Sequence, residues 1–474
     1  MSMKLRGVNV ADAEWAYTAG TSPREGRDYL WVSHQDIDYL ASKGVGLLRL
    51  VFSWEILQPR LNGSFAPAYA ATMMDRVAYA TGQGLNVMIE PHGGEFSRFA
   101  RYKGQVIGSA AVPNSAFADL WRRLAEAYRD NPRVLFGLMN EPNTMSTMQW
   151  FAAAQAAIDA IRAAGATQTI MVPGNGFSQP GAWNDTWYDT AAAPKLSNAE
   201  GWATLRDPLD HLVVSVHTYF DADGGGGGDD IADPDIIAQR LRPVVDWARA
   251  RGLKVHLSEF GANAGTAGAQ QAVIEALDYM DAQRDVVIGW SWWAYGPPDW
   301  WGGYHFTLCP SGDYAVDDPK MAWLAPRFAD PAAAGMRPTS SKLPSPSDGS
   351  YTSKKMVNAG EHSDVSAGLY VLKVAVRSID GDDDRFCVQI IVENPSAMID
   401  VDWQQMSIDL RGHELLEAWN CQVAGTAGLV AVTPIEQTKT VRARNKTSFG
   451  FCVRRDRVST TRASYQVRVK ALTW

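Results

Sequence analysis

Residues 134–143, VLFGLMNEPN, form the stretch on which the interpretation of the whole chain depends. An apolar run of strand length ends in a polar Asn-Glu-Pro sequence, and the ladder of a sheet would stop there because proline has no backbone N–H. Glu141 would therefore lie at the end of a buried strand. Residues 254–263, KVHLSEFGAN, repeat this design and would place Glu259 in the same way. A single glutamate of this kind could be only a polar cap at the end of its strand. Two of them, at the carboxyl ends of two strands of one parallel barrel, would meet at the same mouth.

Apolar segments of strand length alternate with helical patterns over residues 5–292. Strands are predicted over 5–10, 45–52, 85–90, 134–139, 169–172, 212–216, 254–258 and 286–292, and helices over 33–43, 69–83, 116–129, 148–164, 234–250 and 269–283. Eight near-continuous apolar strands separated by helices predict a closed, parallel (β/α)8 barrel. An open doubly wound sheet is the alternative, but no glycine-rich dinucleotide or phosphate fingerprint follows any strand. We interpret the glycine run 224–228 as a flexible loop tip.

The pattern changes after the predicted barrel. Residues 331–363 are rich in Pro, Ser and Thr and have little apolar periodicity, which is typical of a linker. Residues 364–474 hold short alternating segments separated by turn residues, which predicts an all-β sandwich. The predicted fold class is therefore α/β, with a (β/α)8 TIM barrel over 1–330, the linker, and a small β-sandwich domain over 364–474.

Composition argues against several classes of protein. The 474 residues carry a net charge of −8 without a basic cluster, which argues against nucleic-acid binding. No apolar run reaches membrane-spanning length, so we expect no membrane association. The N-terminus lacks the pattern of a signal peptide, so either the protein is cytoplasmic or its signal has been removed. The 18 Trp suit a groove whose flat apolar faces stack on sugar rings, although many of them must lie in the core.

The four cysteines define neither a disulfide framework nor a metal site. Cys309 is the only cysteine of the predicted barrel, so that domain cannot rely on an internal disulfide. Cys387, Cys421 and Cys452 follow it, and the sequence leaves their pairing open. No spacing of metal ligands occurs, and we predict neither a metal nor a cofactor.

Polar and aromatic residues gather at the predicted strand ends. They are Arg49, His92, Asn140, Glu141, His217, Tyr219, Glu259 and Trp293. Each alone has a structural explanation, such as a barrel-floor ion pair for Arg49 or a core role for His92 and His217. Packing does not explain why so many occur at one edge of the same barrel. Their joint placement indicates a single site.

Seven segments of the chain resemble glycoside hydrolase family 5, especially its secreted endoglucanase branch. They read GVNVADAEW, LLRLVFSWEILQP, VLFGLMNEPN, IMVPGN, VVSVHTYFDADG, LSEFGAN and GWSWWAYGPPDWWGGYHFTL, and are spread over residues 7–308. The resemblance implies an endo-β-1,4-glucanase that hydrolyses cellulose or mixed-linkage β-glucan with retention of configuration. It implies a β-glucan polysaccharide as the partner and no metal or cofactor. We expect a secreted monomer.

Two carboxyl groups carry the chemistry that the resemblance implies. Glu259 would be the nucleophile and Glu141 the general acid/base. Retention requires the two carboxyl groups to lie about 5–5.5 Å apart. Arg49 and Tyr219 would hold Glu259 ionised and oriented. Glu141, close to that charge and partly desolvated, would have a raised pKa and keep its proton at about pH 6.

Other residues would contact the substrate by the same resemblance. Asn140 would bond the 2-hydroxyl group of the sugar in the −1 subsite, and Trp293, rather than Trp292, would form the floor of that subsite. The remaining residues of the subsite and groove would be His92, His217, Trp300 and Trp301. The chain departs from the family in a longer stretch over 93–98, which borders the groove, and in Ser258, which replaces a more usual glycine.

Four C-terminal segments, FCVQIIVENP, VDWQQMSIDL, LLEAWNC and TSFGF, resemble a family 2 carbohydrate-binding module. That family binds cellulose through a flat row of exposed tryptophans. Trp419 falls at one of those positions, Trp403 matches an interior one, and Ile435 and Glu436 lie where another platform tryptophan would be expected. A sandwich that only packs against or spaces the barrel is the alternative.

Two alternative functions stay open. The same residues could act on another β-glycan, such as mannan or β-1,3-glucan, because members of the family with those activities share them. A non-catalytic glycan-binding protein is the alternative of a different class. The intact pair of Glu141 and Glu259 argues against it.

Overall fold

The computed structural model shows a closed barrel followed by β-structure. It describes residues 5–15, 23–93, 99–296, 300, 303–328, 356–358, 362–367, 370–379, 385–393, 401–402, 406–409, 414–425, 429–435, 438, 440–441, 446–454 and 466–468. The chain divides into two compact units, of which the first comprises Met1–Gly63 and Arg76–Thr339 and the second Ser64–Asp75 and Ser340–Trp474.

Eight parallel strands form the barrel. They are β1 (Leu5–Val10), β2 (Leu47–Phe52), β3 (Asn86–Pro91), β4 (Val134–Gly137), β5 (Ile170–Pro173), β6 (Leu212–His217), β7 (Lys254–Phe260) and β8 (Val287–Tyr295). Each strand pairs with the next in sequence, and β8 pairs with β1 to close the sheet. The predicted (β/α)8 barrel is therefore confirmed.

Helices connect the strands. They are α1 (His34–Ser42), α2 (Trp54–Leu57), α3 (Pro67–Gly82), α4 (Asn114–Tyr128), α5 (Thr147–Ala163), α6 (Asn198–Trp202), α7 (Ile236–Arg249), α8 (Ala269–Ala282) and α9 (Pro319–Phe328). Every helix that the sequence predicts is present. The sequence missed α2 and α6, which are too short for an apolar period, and α9, which contains Pro326 near its end.

The backbone after β4 stays attached to both neighbouring strands. The N–H of Leu138 donates to the carbonyl oxygen of Met171 at 3.0 Å, and that of Asn140 donates to Pro91 at 2.9 Å. Regular pairing nevertheless ends at Gly137, two residues before the predicted end of the strand. These bonds fix the chain up to Asn140, so that Glu141 leaves the barrel at its mouth.

The opposite end of the barrel is apolar. Side chains near the starts of β2 to β6 form one buried cluster, comprising Leu47, Met88, Leu135, Met171 and Val213. Gly7 allows β1 and β2 to approach, since a Cβ atom there would lie 1.8 Å from the carbonyl oxygen of Leu47. Apolar packing therefore dominates this cluster, and the predicted site residues lie at the carboxyl ends of the strands.

The second unit contains antiparallel strands. Five of them form one sheet in the order His362–Ala367, Tyr370–Ile379, Arg385–Glu393, Lys446–Arg454 and Leu415–Trp419, and three form another in the order Met406–Asp409, Leu429–Pro434 and Cys421–Ala424. Met356–Asn358 and the start of His362–Ala367 fall within the stretch predicted as a linker, whose residues 331–355 lie outside the described residues.

One disulfide is present in this unit. It joins Cys387 to Cys452, which lie directly opposite each other on neighbouring strands. Cys421 is free and half-buried, and Cys309 in the barrel is free and buried. The pairing that the sequence left open is thereby assigned to Cys387 and Cys452.

In the part of the chain that the structure describes, no helix combines the length and the apolar character needed to cross a bilayer.

Candidate active site

The carboxyl ends of the barrel strands bring the predicted strand-end residues together. Those buried at the mouth are Arg49, His92, Asn140, His217, Tyr219, Glu259 and Trp293. Glu141 is half-buried among them. The set converges because parallel strands of a barrel end at one rim.

Arg49 is the centre of the hydrogen-bond network and is completely buried. Its Nη1 donates to Oε1 of Glu259 and to Oδ1 of Asn9. Its Nη2 donates to Oε1 of Glu90 and, at 2.8 Å, to Oδ1 of Asn140. The rigid fork of a guanidinium suits several acceptors at once. Arg49 thereby fixes acceptor groups from four other strands or strand ends.

Both carboxyl oxygens of Glu259 accept hydrogen bonds. Oε1 is bound by Arg49, and Oε2 accepts from the hydroxyl of Tyr219 at 2.9 Å. The sequence analysis expected Arg49 to favour the ionised form. Arg49 does lower the pKa, but burial raises the pKa of Glu259 above its ordinary value overall, because desolvation of a side chain that is only 5% exposed outweighs the opposing effect of the cation. Glu259 is therefore expected to ionise at a higher pH than a free glutamate.

Glu141 lies in a more open environment. Its side chain is 19% exposed, and its Oε1 lies 2.9 Å from Nδ1 of His217. The same Nδ1 lies 3.5 Å from Oε1 of Glu259. One carboxyl oxygen of each glutamate lies within 4.8 Å of the other. The backbone of Glu141 has a φ of +44°, which is uncommon for a residue with a side chain and is often found at functional sites.

His217 is neutral at neutral and mildly acidic pH. Burial lowers its pKa to about 4. Its Nε2 is buried and has no hydrogen-bond partner among the described residues. The ring therefore provides Glu141 with a hydrogen-bonding neighbour but not with a permanent positive charge.

Ser258, which the sequence analysis identified as a departure from the family it resembles, belongs to a buried chain of hydrogen bonds. Its Oγ lies 2.9 Å from Nδ1 of His256 and 2.7 Å from Oγ of Ser215. Nε2 of His256 lies 3.0 Å from the carbonyl oxygen of Leu5, which can only accept, so Nε2 carries the proton. Burial lowers the pKa of His256 to about 3. A neutral imidazole thus accommodates the serine beneath Glu259.

Aromatic rings line one side of the mouth. His92 and Trp293 are stacked, with ring centroids 5.3 Å apart and an interplanar angle of 16°. The ring of Trp15 lies 6.0 Å from that of His92. Trp292 is instead fully buried, and its indole N–H donates to the carbonyl oxygen of Phe306 at 2.8 Å. Of the two neighbouring tryptophans, Trp293 is the one beside His92.

The glycine run 224–228 packs onto Tyr219. The N–H groups of Gly226 and Gly228 donate to the two carboxyl oxygens of Asp221, each at 3.1 Å. Gly226 has a φ of +73°, and a Cβ atom there would lie 2.8 Å from the ring of Tyr219. Glycine permits both the conformation and the approach. The interpretation as a flexible loop tip missed this contact.

Exposed tryptophans lie in the loops after β5 and β8. Trp300 is 43% exposed, whereas Trp301 lies outside the described residues. Trp187, which the sequence analysis did not select, is 59% exposed and its ring contacts that of Tyr188. Most of the longer stretch after His92, residues 94–98, also lies outside the described residues.

The sequence analysis missed two members of the network, Glu90 and Asn9. Glu90, near the end of β3, is 1% exposed and accepts a hydrogen bond from Arg49. The amide group of Asn9 donates to the carbonyl oxygens of Ser258 at 2.9 Å and Trp292 at 3.0 Å. Both are polar residues within otherwise apolar strands, and that was the signal that could have found them.

The three residues Glu141, His217 and Glu259 also satisfy the spacing of a metal site. Their donor atoms lie within 4.8 Å of one another, and no other such group occurs among the described residues. Arg49 already places a positive charge on Glu259, and Tyr219 occupies the second oxygen. A divalent cation would be repelled by that guanidinium. The arrangement therefore suits acid–base chemistry better than metal binding.

The C-terminal residues selected from the sequence are described in part. Trp419 is half-buried at the end of the strand Leu415–Trp419, and Ile435 is also half-buried. Trp403 and Glu436 lie outside the described residues.

Comparison with known proteins gives consistent matches. The family model described as cellulase (glycosyl hydrolase family 5) matches residues 7–296. Endo-beta-1,4-glucanase A of Emericella nidulans is 34% identical over 315 residues, which are 66% of this chain and 89% of that protein. The structure of XacCel5A in complex with cellopentaose is 35% identical, with a TM-score of 0.63, and the match covers 69% of this chain and 99% of that one. For Pseudomonas stutzeri endoglucanase Cel5A in complex with cellobiose the identity is 31%, the TM-score 0.60, and the coverage 69% and 93%.

Proposed function

The chain belongs to glycosyl hydrolase family 5, and on that premise we propose that it is a retaining endo-β-1,4-glucanase with Glu259 as nucleophile and Glu141 as general acid/base. The separation of these two carboxyl groups carries the proposal, since one oxygen of each lies within 4.8 Å of the other. Retaining enzymes hold their carboxyl groups about 5–5.5 Å apart, and inverting enzymes about 6.5–9.5 Å. The shorter spacing leaves no room for a water molecule between Glu259 and the sugar.

In the first step, Glu259 attacks the anomeric carbon and forms a covalent glycosyl-enzyme. Glu141 transfers its proton to the glycosidic oxygen, which leaves with the reducing-end part of the glucan as an alcohol. Arg49 and Tyr219 bind the two oxygens of Glu259 and orient the carboxylate for attack.

In the second step, Glu141, now ionised, takes a proton from a water molecule that attacks the anomeric carbon. The bond to Glu259 breaks, Glu259 leaves as a carboxylate, and the sugar is released with its original configuration. The partial exposure of Glu141 supports this part of the proposal, because the water must reach the same oxygen that donated the proton.

Asn140 bonds the 2-hydroxyl group of the sugar in the −1 subsite. Its Oδ1 accepts from Arg49 at 2.8 Å, so its amide N–H groups are the ones left for a hydroxyl. The stacked pair of His92 and Trp293 supports the assignment of Trp293 as the floor of that subsite. His217 lines the subsite beside Glu141, and Trp300 and Trp301 serve as platforms farther along the groove.

The substrate is a β-1,4-linked glucan, either cellulose or mixed-linkage β-glucan, and the enzyme acts as a secreted monomer. The glucan is supported by the names of the relatives and by the cellopentaose and cellobiose complexes of two of them. Glucose rings present flat apolar faces, which the exposed aromatic rings of the mouth can stack on.

The direct test is the release of reducing ends from carboxymethyl cellulose. Glu141→Gln and Glu259→Gln should each abolish it, while circular dichroism shows both variants folded. Undiminished activity in either variant would contradict the assignment of that carboxylate.

The choice of sugar is tested on soluble cello-oligosaccharides, mannan and β-1,3-glucan. We expect cleavage within cello-oligosaccharides, with the β-anomer formed first when the products are followed by proton NMR. Faster cleavage of mannan or β-1,3-glucan would reassign the substrate and leave the mechanism intact. Binding without any product in the wild type would favour a glycan-binding protein.

We further propose that the chain comprises a catalytic domain over 1–330, a linker over 331–363, and a β-sandwich over 364–474 that resembles a carbohydrate-binding module. The antiparallel sheets of the second unit support the sandwich. Trp419 is its candidate glycan contact. One stacking ring contributes only about 1–3 kcal/mol by analogy with stacking on bases, so Trp419→Ala should weaken adsorption to insoluble cellulose without changing hydrolysis of soluble substrates.

A further inference from the structure

Arg49 faces two buried carboxylates but carries one positive charge. Glu259 is bound through Nη1 of the guanidinium and Glu90 through Nη2. Side-chain exposure is 5% for Glu259 and 1% for Glu90, so solvent screens neither ion pair effectively. The mechanism proposed above uses Glu259 and leaves Glu90 without a role.

Glu90 cannot turn away from Arg49. Its Oε2 is buried and has no hydrogen-bond partner among the described residues. A Cβ atom on Gly137, in the neighbouring strand β4, would lie 2.1 Å from that oxygen. The carboxylate is therefore confined between the backbone of Gly137 and the guanidinium. A buried carboxylate oxygen without a partner is costly, which favours an explanation in terms of function.

We infer that Glu90 is a positioning residue for glycoside hydrolysis, which holds the guanidinium of Arg49 in place and limits the share of its positive charge that reaches Glu259. The inference rests on the proposed role of Glu259 as nucleophile. A carboxylate that is bound too strongly by a cation is a weak nucleophile, and one without any cation remains protonated to a higher pH. A second carboxylate bound to the same cation would give Glu259 a nucleophilicity and a pKa between these two limits.

The other charged and titratable groups around this pair are all retained when Glu90 is substituted, although the pKa of His217, which the charge of Glu90 raises, would fall. Those that face Glu259 include Arg49, His92, Glu141, His217, Tyr219 and Tyr304, and the pKa of Glu14 on the loop after β1 is affected by the charge of Arg49. A change in the pH dependence of a Glu90 variant therefore reports the loss of that one negative charge.

The experiment measures kcat/KM of Glu90→Gln against pH with 2,4-dinitrophenyl β-cellobioside. This leaving group departs without a proton from Glu141, so the acidic limb reports the ionisation of Glu259 rather than that of Glu141. Without the negative charge of Glu90, the positive charge of Arg49 acts more strongly on Glu259 and favours its ionised form. We expect the acidic limb to move to lower pH by about one pH unit, with kcat reduced about tenfold and KM unchanged within about twofold.

Two controls separate this role from structural support. Glu90→Asp keeps the charge, so its acidic limb should stay at the wild-type pH even if kcat falls. Glu55→Gln removes another buried glutamate, one that accepts from Ser53 and from the backbone of Lys103 rather than from Arg49, and should leave the limb in place.

An acidic limb that stays or moves to higher pH in folded Glu90→Gln would overturn the inference. If this variant does not fold, Gly137→Ala makes the same test, since the added methyl group displaces the carboxylate from Arg49 and should move the limb in the same direction; an unmoved limb there would also overturn it. Failure of the proposed function would look different, because Glu259→Gln would then retain activity.

Discussion

The two carboxylates of the site lie in contrasting surroundings, although one oxygen of each lies within 4.8 Å of the other. Glu259 is held at both oxygens by Arg49 and Tyr219 within a fully buried network. Glu141 is partly exposed, and its Oε1 lies 2.9 Å from Nδ1 of the neutral His217. Glu259 is fixed in position by hydrogen bonds, whereas Glu141 is accessible to water.

This contrast matches what each group must do in double displacement. A nucleophile needs one fixed orientation, and rigid hydrogen bonds provide it. A general acid that later acts as a base must exchange protons with water in every cycle. The network of Arg49 therefore surrounds Glu259 and stops short of Glu141.

The largest test of this contrast exchanges each carboxylate for alanine and adds azide. Glu259→Ala should lose activity on every substrate by on the order of 10⁴-fold or more, and azide should restore it only by forming the α-glycosyl azide. Glu141→Ala should lose about 10²- to 10⁴-fold on natural substrates, form the glycosyl-enzyme normally from a 2,4-dinitrophenyl glycoside, and yield the β-azide. Identical azide products from both variants would contradict the division of roles.

Arg49→Lys tests whether the fork geometry or the charge alone holds Glu259. An ammonium group cannot donate to all four acceptors of the guanidinium. We therefore expect kcat/KM to fall about 100-fold and the free energy of unfolding to fall by about 3–5 kcal/mol. The matched control is Arg162→Lys, which alters the two-point ion pair with Asp207, remote from the mouth. That variant should lose stability without losing kcat/KM, whereas equal kinetic losses in both would point to a general packing defect.

His256, on the strand that carries Glu259, should make the free energy of unfolding depend on pH. Its folded pKa of about 3 lies below the ordinary value of 6.5, so the neutral ring stabilises the fold above pH 6.5 and this stability is lost as the pH falls toward 3. The stability difference between wild type and His256→Gln should shrink by about 2 kcal/mol from pH 7 to pH 5. Chemical denaturation at the two pH values measures this difference. A constant difference for His256→Gln would mean that the ring is not held neutral.

Tyr219→Phe removes one of the two hydrogen bonds to Glu259. A hydrogen bond to a charged group contributes about 1.5–3 kcal/mol, so kcat/KM should fall about 10- to 100-fold. The lost donor favoured the ionised form, so the acidic limb should move to higher pH, opposite to the shift expected for Glu90→Gln. Tyr79→Phe, which removes a hydroxyl bound to Asp38, serves as the control and should change neither quantity. A limb that moves to lower pH would contradict the assigned bond.

The smallest expected effect comes from the glycine loop behind Tyr219. In Gly226→Ala, the added Cβ atom would lie 2.8 Å from the ring of Tyr219, and the φ of +73° is unfavourable for alanine. The ring and its hydroxyl should therefore shift, and kcat should fall about threefold. Gly227→Ala is the matched control, because a Cβ atom there meets nothing within 4 Å. Equal effects in both variants would show that loop flexibility, rather than contact with Tyr219, matters.

Sequence patterns predicted the strands and helices of the barrel but not the hydrogen-bond network among its buried polar side chains. Apolar runs that alternate with helical periods gave the closed eight-stranded barrel, and strand ends near Pro142 and after Glu259 gave the position of the two carboxylates. Glu90 and Asn9 were missed because a single polar residue in an apolar strand does not reveal which distant side chain it meets. The sequence analysis predicted that Arg49 favours the ionised form of Glu259, but not that burial raises the pKa of Glu259 overall, since the extent of burial depends on residues from the whole rim.

The tight approach of Gly137 to Glu90 makes two positions on adjacent strands interdependent. A library that varies one position at a time would record glycine as obligatory at 137 and would miss combinations in which a shorter acid at 90 leaves space for a methyl group. Joint randomisation of the two codons is therefore the route by which laboratory evolution could reset the working pH of the enzyme.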